Sequence, residues 1–352
     1  REGGLTMVVW KRILAIGVCL AVATGSLTGC GAGGEEDDGT VTVALLADGA
    51  GFGTQSFNDV ALEGLQRAEQ ELGIKLITLE VKEVSDLQNS LRSLAQLSDM
   101  IITPSSTVKD AVIEVSQEFP DVYFGLLDME IEGYENIASS SYREQEAGFL
   151  LGALGAKLTQ TGQIAYVGGV SGVIQDRCQW GYTAGAYYID PDVKVTSTYV
   201  GSFSDVGKGL EIASALYSSG CDYIAPFAGA ANLGVFRASS QAGEEKWAFG
   251  AANGQFNQMP DKIVASQVKR VDNVAYSLVE SLLDGTLKGN EPQNYGEKEG
   301  GVDLMYSTEP VMQDFVPQEI KDEIDELRDQ VIAGEIDIPV NQEEFETWVA
   351  AR

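Results

Sequence analysis

The chain has 352 residues, with 23 Lys and Arg against 53 Asp and Glu, a formal net charge of −30 at pH 7 and no histidine. The missing imidazole removes Ser-His-Asp and Cys-His catalysis, zinc proteases and most zinc sites. So acidic a surface repels phosphates and anionic lipid head groups, and no nucleic acid is expected as a partner.

In chain order the first element is a leader. Lys11 and Arg12 precede an apolar run, Ile13 to Ala23, too short to span a bilayer comfortably and of the right length for a signal-peptide core. The run leads to Leu27-Thr28-Gly29-Cys30, which resembles the bacterial lipobox, where cleavage falls just before a cysteine whose thiol carries diacylglycerol. Residues 1–29 are therefore read as a lipoprotein signal peptide, with Met7 as the expected start, and 30–40 as the lipidated Cys30 and a Gly-rich, acidic tether. A leader with a chance cysteine and an uncleaved anchor helix are the other readings. No later stretch is long and apolar enough to cross a membrane.

From Val41, β-rich runs alternate with amphipathic helices. Strands are expected at Val41 to Leu46, Lys75 to Val81, Met100 to Thr103 and Val122 to Leu127, with helices from Phe57 to Leu72 and near 86–97 and 108–118. A second series places strands at Gln163 to Val167, Val193 to Val200, Tyr223 to Ala225 and Lys246 to Phe249. Ile263 to Val268 follows as a strand, 271–285 as a helix returning to the first series, and Gln318 to Ala333 as an amphipathic helix. Such alternation makes an α/β fold with parallel sheets and helices on both faces, and two series make two doubly wound lobes. Lobe 1 is assigned 41–140 plus 264–301 and lobe 2 141–263 plus 302–340, so the chain crosses between lobes three times. Three crossings leave a hinge and a cleft onto which the carboxyl ends of both sheets open, where such folds bind small ligands.

Cys19 and Cys30 belong to the leader and anchor. Cys178 and Cys221 fall at opposite ends of a parallel sheet, too far apart to pair, and are expected as two buried thiols. Gly49, Gly51 and Gly53 follow a strand, but the spacing is G-x-G-x-G and no acidic residue stands about 20 positions on, as a dinucleotide-dependent oxidoreductase requires. Carboxylates are not clustered for metal binding, so no enzyme, metal or cofactor is expected.

Asp48-Gly49 followed by Gln55-Ser56-Phe57-Asn58 resembles the first-strand loop of the basic membrane protein family of substrate-binding lipoproteins, which includes the purine nucleoside receptors of bacterial ABC transporters. The likeness continues through Phe119-Pro120-Asp121, Asp128, Glu146 to Gly152, Val167-Gly168-Gly169, Asp176-Arg177, Gly181-Tyr182, Gly201-Ser202-Phe203, Gly234-Val235, Val268 to Asp272 and Ala333 to Pro339. It covers nearly all of 41–339. It implies a type I periplasmic binding protein-like fold with a three-crossing hinge. It also implies a lipid-anchored receptor facing outside the cytoplasm, a purine nucleoside-like ligand and an ABC permease as partner; a monomer is expected. A ligand-sensing lipoprotein of the same fold, with a different ligand and no transport partner, is the second reading.

A flat purine needs a ring to stack on and an amide or carboxylate at its edge. Phe57 and Asn58, at the start of the first helix, offer both; Phe57 is otherwise a core residue, and the match implies the ligand role. Asp48 and Asp128 end strands, as ligand contacts or as turn caps, and the match favours the ligand for Asp128. Lys269 is read as bonding ribose hydroxyls or a cleft carboxylate, or as a solvated surface lysine. Phe227 is read as a second stacking ring or as hinge packing. The chain departs from the family at Ala252 and Gly254, where acidic residues are usual, and at Cys178, where an aromatic is usual. Loss of the first of those carboxylates implies a site short of one charged acceptor for a sugar diol.

Overall fold

A computed structural model describes residues 39–48, 51–53, 57–104 and 108–352, with the Asp48 side chain left out. The leader and Cys30 lie outside these residues. Within Thr40–Arg352, the strands form two six-stranded sheets.

The first sheet is built by β1 (Thr42–Asp48), β2 (Lys75–Val81), β3 (Met100–Thr103), β4 (Tyr123–Leu126), β5 (Ile137–Tyr142) and β11 (Gln293–Tyr295), in the order β11-β5-β4-β3-β1-β2 and parallel throughout. Between these strands run α1 (Phe57–Leu72), α2 (Leu87–Ala95) and α3 (Lys109–Glu118). Val43 to Ala47 are wholly buried because helices cover both faces of the sheet. α8 (Val271–Leu283) lies against α1. The contact requires a glycine at position 64, since a Cβ there collides with the Asp272 carbonyl.

The second sheet contains β6 (Gln163–Gly168), β7 (Lys194–Tyr199), β8 (Tyr223–Phe227), β9 (Trp247–Gly250), β10 (Ile263–Lys269) and β12 (Val302–Tyr306), in the order β12-β10-β9-β8-β6-β7. Only the β10–β12 pair is antiparallel. Its helices are α4 (Glu144–Leu158), α5 (Val173–Ile189), α6 (Val206–Ser218), α7 (Asn232–Ala242), α9 (Gln318–Ile332) and α10 (Gln342–Ala350). Gly152 and Gly185 let α4 and α5 cross backbone to backbone, because a Cβ at either meets the carbonyl of Tyr182 or Phe149.

The chain passes between lobes at Arg143, at Arg270 and over 296–301. One expected boundary moves. β10, assigned from residue 264 to lobe 1, is hydrogen-bonded between β9 and β12 and belongs to lobe 2. A strand joins the sheet it pairs with, and the return to lobe 1 follows it at Arg270. Cys178 and Cys221 are both buried and unpaired. Burial, then the neighbouring Glu144, push the Cys178 thiol far up, which leaves it unreactive. No helix among the described residues is long and apolar enough to cross a membrane.

Candidate functional site

A cavity of about 610 Å³ opens where the carboxyl ends of the two sheets meet. Each contributor sits in a strand-end loop or at the start of the helix that follows, because parallel strands all deliver the chain to the same edge. Lobe 1 supplies Phe57, the first residue of α1, and Asp128, just past β4. The last residue of β10, Lys269, stands beside them. Lobe 2 supplies Val170, Val173, Ile174 and Gln175 around the β6–α5 turn, Phe203 after β7, Phe227 and Asn232 around the end of β8, and Ala251, Ala252 and Gln255 after β9.

The charged end is a chain of ion pairs. Lys269 Nζ donates to both Asp128 oxygens at 2.9 and 3.0 Å and stands 2.7 Å from Glu144 Oε1; Glu144 Oε2 meets Arg177 Nε at 2.7 Å. The Lys269 and Glu144 side chains are 5% and 0% exposed. Burial alone would depress the Lys269 ammonium, but Glu144 and Asp128 outweigh it and hold the pKa above the ordinary lysine value. The ammonium also lies over the rings of Tyr142, at 5.1 Å, and Phe57, at 5.8 Å. Asp128 belongs to lobe 1 and Glu144 opens α4 of lobe 2, so the lysine ties the lobes together at the hinge end of the cavity.

Backbone strain collects here. Among the described residues four non-glycines have positive φ, and three of them line the cavity: Asp128 at 65°, Ala252 at 57° and Gln255 at 58°. Such conformations persist only where surrounding structure over-determines them. Gln255 Oε1 accepts from Asn232 Nδ2 and Ala251 N, while the Ala252 carbonyl accepts from Lys269 N.

Phe57, Asp128, Lys269 and Phe227 thus come together on one cavity. Asn58 is buried, is not among the residues lining the cavity, and donates from its amide to the Gly51 carbonyl at 3.0 Å. Asp48 ends β1, and its side chain lies outside what is described. Among the cavity residues that the sequence did not single out as ligand contacts, Phe203 is the most informative. It is 49% exposed although aromatic, and the signal in the sequence was its place in Gly201-Ser202-Phe203, a stretch of the family likeness directly after a strand. Val173 and Ile174, behind the Gly-rich turn after β6, carry the same kind of signal.

The profile described as "ABC transporter substrate-binding protein PnrA-like" matches residues 40–342. Basic membrane protein A of Borreliella burgdorferi is 32% identical over 87% of this chain and 90% of its own length. A Lactococcus lactis protein named ABC transporter nucleoside-binding protein BmpA is 28% identical over 94% and 99%. A solved ABC transporter solute-binding protein from Aeropyrum pernix superposes with a TM-score of 0.71 over 88% of this chain and 96% of that one, at 24% identity, and shows the shared fold. The chain belongs to the PnrA-like family of ABC transporter substrate-binding proteins, and its function is to bind a substrate for an ABC transporter.

Proposed function

We propose that the protein captures a purine nucleoside in the interlobe cavity and presents it to an ABC permease, as a monomer held at the outer face of the cell membrane by a lipid on Cys30. The observation that carries this reading is the pairing of aromatic rings from both lobes, Phe57 with Phe203 and Phe227, with one charged end, Asp128 and Lys269, on a single cavity. A flat heterocycle with a hydrogen-bonding edge fits that arrangement: rings take its faces and the ion pair takes its edge. The name of the Lactococcus lactis relative supports the ligand class. Lobe closure over the ligand would bury the exposed rim and create the form a permease recognises. Binding is proposed without chemistry, so the nucleoside should be recovered unchanged.

Isothermal calorimetry of the full chain against purine and pyrimidine nucleosides, free bases and sugars tests the reading. Heat and a rise in Tm with purine nucleosides are expected, and silence toward all of them at millimolar concentration overturns the ligand class. Mass spectrometry of the membrane-extracted protein tests the anchor, with a diacylglyceryl mass on the peptide that begins at Cys30 as the expected result.

A further inference from the structure

The two walls of the cavity differ in what they offer a sugar. Apart from Lys269, the last residue of β10, lobe 2 contributes no ionisable side chain to the lining. Its other polar members are three amides whose oxygens are already engaged as acceptors. Gln175 Oε1 accepts from Tyr166 Oη at 2.8 Å and Gly169 N at 3.3 Å, and its Nε2 donates to the Phe227 carbonyl. Asn232 Oδ1 accepts from Ala228 N, and Gln255 Oε1 accepts two N–H groups. The rest is hydrocarbon. Val170 and Val173 line the cavity while 43% and 72% exposed, so closure over a ligand would drive them against it.

Hydroxyls pressed onto such a wall lose water without gaining acceptors, which costs about 1–3 kcal/mol per group in proteins. A site built to hydrogen-bond a hydroxyl rejects the analogue lacking it by about 10⁴-fold or more, whereas an apolar wall discriminates by roughly 10- to 200-fold. On the nucleoside reading given above, we infer that the ligand is a purine nucleoside whose sugar is poor in hydroxyls, a deoxy- or dideoxynucleoside. The base keeps its polar edge at Asp128 and Lys269, and the sugar lies against lobe 2.

Calorimetry of the full chain with one purine as ribonucleoside, deoxynucleoside, dideoxynucleoside and free base tests this directly. The dideoxynucleoside is expected to bind more tightly than the ribonucleoside or within about tenfold of it. A ribonucleoside preference beyond about tenfold overturns the inference while leaving the nucleoside reading intact. Absence of binding by every purine overturns both. Val173→Asp supplies the second arm. Val173 is exposed, so the variant should fold, and it adds a carboxylate acceptor to the lobe 2 wall. The ratio of ribonucleoside to dideoxynucleoside affinity should rise by about fivefold or more, the worth of one charged hydrogen bond across a partly wet rim. An unchanged ratio overturns the placement of the sugar.

Discussion

At the hinge end of the cavity, Asp128, Lys269, Glu144 and Arg177 are packed within ion-pair distance, and the lysine and glutamate are almost sealed from solvent. Across the cavity, the lobe 2 rim leaves Val170, Val173 and Phe203 open to water with nothing to hold. Charge is hidden where surface would normally carry it, and hydrocarbon is shown where a fold would normally bury it. The inversion separates two tasks. The buried charges tie the lobes together and face the cavity through Asp128 and Lys269, while the open hydrocarbon is what closure over a ligand, on the proposed reading, would bury.

The contrast is broken most severely at Lys269. Lys269→Met removes the ammonium that Asp128 pairs with and leaves the buried Glu144 facing Arg177. Removing one member of a buried charge cluster costs about 3–5 kcal/mol, so urea unfolding should show a drop of that order. Unchanged stability would mean that the cluster is better solvated than its burial indicates.

On the ligand side the expected effects are smaller and fall on affinity. Phe57→Ala should weaken purine nucleoside binding by about 1–3 kcal/mol, roughly tenfold to a hundredfold, with less change in apo stability because the ring is only half-buried. Phe203→Ala should leave the apo Tm unmoved, since nearly half of the ring is already in water, and still cost affinity. Equal affinity for both variants and the wild type, measured by calorimetry, would remove stacking from the account.

The third crossing carries a pH dependence of its own. Burial pushes the Glu297 carboxyl up to about 8, opposed by Arg328 and reinforced by Asp303 and Glu146. The unfolded chain releases the same proton near 4.5. Between those values the folded protein holds a proton that the unfolded chain has lost, so this contribution is full below 4.5 and declines as pH rises toward 8. Glu297→Gln should flatten that decline, seen as a Tm gain of roughly a few degrees at pH 8 and little change at pH 5. A parallel shift at both pH values would assign the effect to packing rather than to the proton.

How much of this was legible in the sequence depended on whether a residue's role is local. The apolar run of β1 and the amphipathic helices announce themselves by period, and Phe57, Asp128 and Lys269 stand at strand ends or helix starts, where ligands of such sheets bind. β5 is the counterexample. Ile137-Ala-Ser-Ser-Ser-Tyr142 is buried along its whole length, yet three hydroxyls hide the pattern; Ser140 reaches the Leu126 carbonyl and Ser139 the backbone of Ile131. Asn58 reads as a ligand contact by type and place, and the bond from its amide to the Gly51 carbonyl is one that no periodicity encodes. The lobe to which β10 belongs follows from its pairing partners, which no periodicity encodes.

The smallest expected effect lies on the lobe 2 wall itself. Ala252 holds φ at 57°, a conformation that costs an L-residue about 1–2 kcal/mol. Ala252→Gly removes that strain but gives the unfolded chain more freedom, which takes back about 0.5–1 kcal/mol. The net should be a stabilisation of at most about 1 kcal/mol, where an interior Ala→Gly change ordinarily destabilises. Ala251→Gly is the matched control, since Ala251 lines the same wall and is absent from the positive-φ residues. Denaturant unfolding of the pair therefore reads the strain by sign: a gain at 252 with a loss at 251 places it in the Ala252 backbone. Equal losses at both positions would show that the wall is held by its methyl contacts, and that the left-handed turn after β9 stores nothing.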